Sequence, residues 1–174
     1  QGVVYLAGGV TPVTLGQVLT SGQLTGLVFR PEPDAEGAAG TISYAVTDSQ
    51  GGNVSQSVTL QITPINDPPI ATNLNAPETY VEDTPLSLTG ITVSDIDSAN
   101  ITATLTLSNP ATGSLATGTS GAVTSTYNAG TGVWTASGAI VNVNTLLASV
   151  AFTPALNFNG NFTIATQVND GTTT

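Results

Sequence analysis

The side chains in this sequence best able to do chemistry are its eleven carboxylates, set against a single cation, Arg30. They are grouped, not scattered. PEPDAEG holds Glu32, Asp34 and Glu36. VTD holds Asp48, NDPP holds Asp67, and PETYVEDTP holds Glu78, Glu82 and Asp83. SDIDS holds Asp95 and Asp97, and VND holds Asp170. Nearly all fall in turn-like segments or at strand ends, where Asp and Asn cap turns with their own side chains. Two chemistries suit such groups. Paired carboxylates run glycoside hydrolysis. Converging carboxylates repel one another unless a cation sits between them, and Ca²⁺ takes oxygen ligands.

The rest of the composition argues against catalysis. The chain has no His, no Lys and no Cys. A Ser or Thr nucleophile therefore has no partner base of the usual kinds, and a zinc hydrolase has no imidazole or thiolate ligand. A sugar cleft wants aromatic walls, yet aromatics are 5% of residues and Trp134 is the single indole. It lies in the alternating stretch GVWTASG, where sheet packing is its expected role. A Lys–Asn cross-link is impossible without Lys. The expectation is a non-enzymatic protein.

A net charge of −10 cannot neutralise phosphates, so nucleic acid and anionic membrane surfaces are poor partners. No apolar run approaches the ~20 residues of a membrane helix. Without Cys there is no disulfide frame. The chain opens at Gln1 with no basic segment before an apolar one, so it is expected to be part of something longer. Asn53, Asn100 and Asn161 fit the N-glycosylation acceptor pattern, a weak signal in so Thr-, Ser- and Asn-rich a chain.

The positioning elements read as strands. Val and Thr are abundant, and their branched Cβ atoms suit a pleated surface. Period-two alternation marks Thr41–Thr47, Val54–Thr63, Leu86–Val93, Ile101–Leu107 and Thr163–Val168. Turn clusters separate them at DSQGGN, SNPATG, NAGTG and NFNG. The expected class is all-β, built as sandwiches.

An internal repeat sets the domain organisation. VLTSGQLTGLVFRP (Val18–Pro31) lies over VNVNTLLASVAFTP (Val141–Pro154) without a gap, Pro31 and Pro154 being 123 residues apart. TISYAVTD (Thr41–Asp48) then meets TIATQVND (Thr163–Asp170) at a spacing of 122. Upstream, YLAGGV (Tyr5–Val10) is like YNAGTGV (Tyr127–Val133). A period this long is a whole domain. The expected layout is the later part of one repeat over residues 1–65, a Pro-rich linker over 66–70, and a second repeat over 71–174 without a counterpart of the Val54–Thr63 strand. The first and last sandwiches would thus be incomplete in this segment.

If successive strands alternate in direction, the first strand of the second repeat descends from Ile70 towards Glu82 and Asp83. The next climbs through Leu86–Val93 and returns Asp95 and Asp97 to the linker. Thr163–Val168 also climbs, bringing Asp170 to the same end. In the first repeat, the strand ending at Phe29 descends, so Glu32, Asp34 and Glu36 turn at the end facing the linker. With Asn66 and Asp67, these loops converge on one joint, suited to a Ca²⁺ ion.

NDPP, VEDTP…SDIDS, the VTD and VND strand ends and the phrase F-x-P…G…V-x-D resemble the cadherin-like, Ig-like tandem repeats of large bacterial surface adhesins. The resemblance covers both halves of the chain. It implies tandem Greek-key β-sandwiches with Ca²⁺ between repeats. It assigns ligation to Asn66 and Asp67 from the linker, Asp95 and Asp97 from the D-x-D loop, and Asp170 from a late loop. Asp34 and Glu36 are the preceding repeat's contribution, while Asp48 and Glu82 would serve the joints to flanking repeats. The chain departs from the family where Pro64 replaces an acid and Pro68 a polar residue, which implies fewer ligands or weaker binding. The glycine-rich nonapeptide calcium repeats found in such proteins are absent.

The functional expectation is a structural repeat of a secreted or cell-surface protein, an adhesin stalk stiffened by proline and Ca²⁺. Its partners would be neighbouring repeats or identical subunits, with a host or matrix ligand held elsewhere in the parent protein. The alternative is a self-assembling extracellular filament subunit whose incomplete sandwiches are completed by strand donation. A carbohydrate-binding module is a third reading, resting on the sandwich class alone.

Overall fold

The computed structural model describes residues 1–72 and 77–172. The chain divides into two compact units, Gln1–Ile65 and Asn66–Thr174. Strands make up 42% and helices 11% of the protein, so it is β-rich as the alternation predicts.

The first unit is built from two antiparallel pairs. Strand β1 (Gly2–Tyr5) pairs with β2 (Val28–Pro31), and β3 (Gly37–Thr47) pairs with β4 (Asn53–Ile62) in a hairpin. A short helix, α1 (Ser21–Thr25), precedes β2. Thr20 caps it, accepting from the Gln23 amide, while the Gln23 side chain reaches back to the Thr20 N–H. Asp48 closes the hairpin turn, its Oδ1 accepting from the amides of Gln50 and Gly52 at 2.8 Å each. In β4 the apolar residues Val54, Val58, Leu60 and Ile62 share one face, and Ser55, Ser57, Thr59 and Gln61 the other. Only Gly9 is buried in this unit.

The core lies in the second unit, where a four-stranded sheet and a three-stranded sheet enclose it with a helix. The four-stranded sheet runs β12 (Thr126–Asn128), β13 (Val133–Ala139), β8 (Asn100–Leu107), β15 (Ile164–Asn169). The three-stranded sheet runs β6 (Leu86–Ser87), β14 (Ala151–Pro154), β9 (Gly113–Leu115). The strict alternation of NITATLTL buries Ile101, Ala103, Leu105 and Leu107 of β8. Trp134 stands opposite Leu105 on β13 and is fully buried, its Nε1 donating to the Ala116 carbonyl at 3.0 Å. Gly113 lets β9 approach β14 closely, since a Cβ there would fall on the Thr153 carbonyl oxygen. Smaller pairs join β5 (Ile70–Ala71) to β7 (Val93–Ser94), and β10 (Thr119–Ser120) to β11 (Val123–Thr124).

One feature departs from the all-β class and another from an expected strand. VNVNTLLAS, which alternates like a strand at its start, lies in a ten-residue helix, α2 (Ile140–Ser149). Val143, Leu146 and Leu147 are buried together at helical spacing, so the core-facing stripe overrides the β-branched residues. Leu86–Val93 is not one strand. Gly90 takes φ 93° and breaks the run, sending β6 to β14 and β7 to β5. Residues 73–76, within the descending first strand expected from Ile70, lie outside the described residues.

The aligned segments adopt the same elements in sequence. α1 corresponds to part of α2, β2 to β14 and β3 to β15. Their pairings are not the same: β2 lies against β1, whereas β14 lies between β6 and β9.

Candidate functional site

Five of the residues singled out from the sequence come together within the second unit. The short β5–β7 ladder sets Ile70 opposite Ser94, which brings the D-x-D loop back to the linker, Asp97 beside Asp67. The side chain of Asn66 donates to Asp170 Oδ2 at 2.7 Å, joining residues 104 positions apart. The Asp67 amide donates to Asp97 Oδ2 at 2.6 Å. The Asp97 and Ser98 amides donate to Asp95 Oδ1 at 2.9 and 2.7 Å, folding the D-x-D loop around that oxygen.

The other Asp95 oxygen, Oδ2, is buried and has no hydrogen-bond partner. A carboxylate oxygen held from water without a donor is costly, about 1–3 kcal/mol for a neutral group and more for a charged one. Asp170 is better satisfied. The Asn66 amide, followed by Thr172, holds its carboxyl below the ordinary value of 3.8. Hydrogen bonds to the charged form favour that form.

The loop is anchored from behind by α2. Thr92, the residue before Val93, accepts at its carbonyl from the amide of Thr72, just after β5, at 2.9 Å, so the main-chain groups of Val93 point the other way. Asn144 meets both: its Oδ1 accepts from the Val93 amide at 2.8 Å and its Nδ2 donates to the Val93 carbonyl at 2.9 Å. One side-chain amide thus does for β7 what a neighbouring strand would do. Nothing in the alternation of VNVN signals this, because the pairing depends on the helix.

The remaining singled-out residues are each placed within their own unit. Asp34 sits in the first unit at φ 57°, in a turn closed by the Ala35 amide on the Glu32 carbonyl, and Glu36 precedes β3. Asp48 is occupied in its hairpin turn. The Glu82 carbonyl accepts from the Thr84 hydroxyl, and neighbouring Asp83 Oδ1 accepts from the Asn157 amide at 2.8 Å. Among the described residues, no three or more His, Cys, Asp or Glu side chains gather at metal-binding spacing. Any cation here would draw on amide and main-chain oxygens as well as carboxylates, a mixed donor set that Ca²⁺ accepts. No described helix is long and apolar enough to cross a membrane.

No protein-family model, curated protein or solved structure matches the chain.

Proposed function

We propose that the chain is a structural module of a secreted or cell-surface protein, made of cadherin-like Greek-key sandwiches, and that the Asp95–Asp97 loop binds Ca²⁺. The module is not an enzyme. Its role is mechanical: to hold a joint stiff so that a binding element elsewhere in the parent protein is projected.

The observation that carries the reading is the unpartnered, buried Asp95 Oδ2, in a D-x-D loop tied to the linker through the Asp67 amide, with neighbouring Asn66 bonded to Asp170. In water-excluded surroundings that oxygen calls for a positive partner, and the second unit contains no cationic side chain. The residues fit a hard cation that takes oxygen. Asp95 and Asp97 would supply carboxylate oxygens and the Asn66–Asp67 linker amide and main-chain oxygens, while Asp170 holds the Asn66 side chain in place.

Isothermal titration of CaCl₂ into the chelator-treated chain tests this, together with thermal unfolding in Ca²⁺ against NaCl of equal ionic strength. Extracellular calcium modules bind at about 10⁻⁴–10⁻³ M. A saturable heat in that range, with a midpoint rise specific to Ca²⁺ and lost in Asp95→Asn, is the expected result. Equal shifts in Ca²⁺ and NaCl would overturn the reading, since screening of the −10 charge alone would then account for them.

A further inference from the structure

The loop between β14 and β15 carries Asn157, Asn159 and Asn161, followed in turn by Phe158, Gly160 and Phe162. The side-chain carbon of an asparagine is open to attack by the main-chain nitrogen of the next residue. The attack is easiest where that residue is glycine, because no Cβ shields the nitrogen. Asn159–Gly160 is the only Asn–Gly bond in the sequence.

The structure separates the three asparagines further. The amide that would attack Asn157 is that of Phe158, and it is held by the Ala155 carbonyl at 2.9 Å. The amide that would attack Asn161 belongs to Phe162, whose ring packs on the core. Asn159 is exposed, and among the described residues the Gly160 amide donates to no acceptor, so neither reacting group must first be freed. The fold also favours glycine here, since a Cβ at Gly160 would lie 3.2 Å from the Phe158 ring, closer than ordinary contact.

Tyr80 spans the same bond. Its hydroxyl is shared between the Gly160 carbonyl at 2.8 Å and the Phe158 carbonyl at 3.3 Å, one on each side of Asn159. Its ring stacks on Phe158 and meets Phe152 and Phe162 edge-on. We propose that Asn159 is a self-modifying site whose reaction opens this Tyr80 clasp. The Gly160 nitrogen gives its proton to water and bonds to Asn159 Cγ. The bond from Cγ to Nδ2 breaks, and the nitrogen leaves as ammonia. Water then opens the cyclic imide. Cleavage at Cγ gives aspartate, and cleavage at the main-chain carbonyl gives isoaspartate. One water replaces one ammonia, with no oxidant or cofactor. The isoaspartyl chain is one carbon longer between the two carbonyls that share the Tyr80 hydroxyl, so the hydroxyl can no longer serve both. None of the residues proposed to hold Ca²⁺ takes part.

The test is to age the chain in neutral buffer at physiological temperature, digest it and weigh the peptides. Asn159 is expected to convert to the acid several times faster than Asn157 or Asn161, as two products of equal mass that separate by chromatography. As isoaspartate accumulates, the unfolding midpoint read from Trp134 fluorescence should fall by roughly 4–8 °C, the shift for one net hydrogen bond in a unit of this size. Asn159→Gln, which would have to close a larger ring, should keep its midpoint on ageing. Freshly made Asn159→Asp, with the new charge but no added carbon, should match the unaged chain. Equal conversion at the three asparagines would overturn the site. An aged chain with an unchanged midpoint, or an equal fall in Tyr80→Phe, would overturn the clasp.

Discussion

Replacing Asn144 with alanine should destabilise the second unit by about 2–4 kcal/mol. The side chain makes two hydrogen bonds to Val93, each contributing about 1 kcal/mol net. Alanine returns about 0.6 kcal/mol through its higher helix propensity. Against this, Val93 is 3% exposed, so its freed amide and carbonyl find little water and add a desolvation cost of about 1–3 kcal/mol. For a unit of this size the lower figure, about 2 kcal/mol, corresponds to a fall of roughly 8–12 °C in midpoint. Urea denaturation followed by Trp134 fluorescence reads the right unit, since this is the only indole and lies in that core. Asn144→Asp should cost at least as much, because a carboxylate cannot donate to the Val93 carbonyl. A loss below about 0.5 kcal/mol in both variants would refute the idea that this amide stands in for a strand.

Trp134→Ala should cost about 3–5 kcal/mol by urea denaturation followed by circular dichroism, the range for deleting a buried aromatic side chain; less than about 2 kcal/mol would mean the site collapses freely. Asp170 has its folded pKa depressed, so its contribution to stability is present above the unfolded value of 3.8 and disappears as pH falls through the lower folded value. Asn66→Ala removes the largest cause, and carboxyl-carbon NMR titration should then show the Asp170 pKa rising towards 3.8. An unchanged value would detach Asn66 from the site.

Much of the fold and part of the candidate site could be read in the sequence. The alternation of NITATLTL predicts β8 and its buried face because a half-covered strand needs period two. Trp134 falls in the core as its alternating context predicts. Asn66, Asp67, Asp95, Asp97 and Asp170 are linked in the second unit, but not by the route expected from the turn clusters, because Leu86–Val93 is two short strands and not one climbing strand. What escaped were features set by tertiary contacts. The stripe of Val143, Leu146 and Leu147 was present at spacings of three and four, but VNVN and the β-branched residues hid it. The division of Leu86–Val93 turns on the φ of one glycine, Gly90. The clasp of Asn144 on Val93 joins residues 51 positions apart, and no local pattern encodes it.

The bond between Asn66 and Asp170 has a consequence for load. It means that the path through the second unit returns to the pole where it began. Tension applied at those two residues would pull on that one contact and on the edges of β5 and β15, peeling them bond by bond while the core carried nothing. A stalk needs its force to enter at one pole and leave at the other. The β8–β15 ladder would resist in shear, with all its hydrogen bonds loaded at once, only if force left from the opposite end of β15.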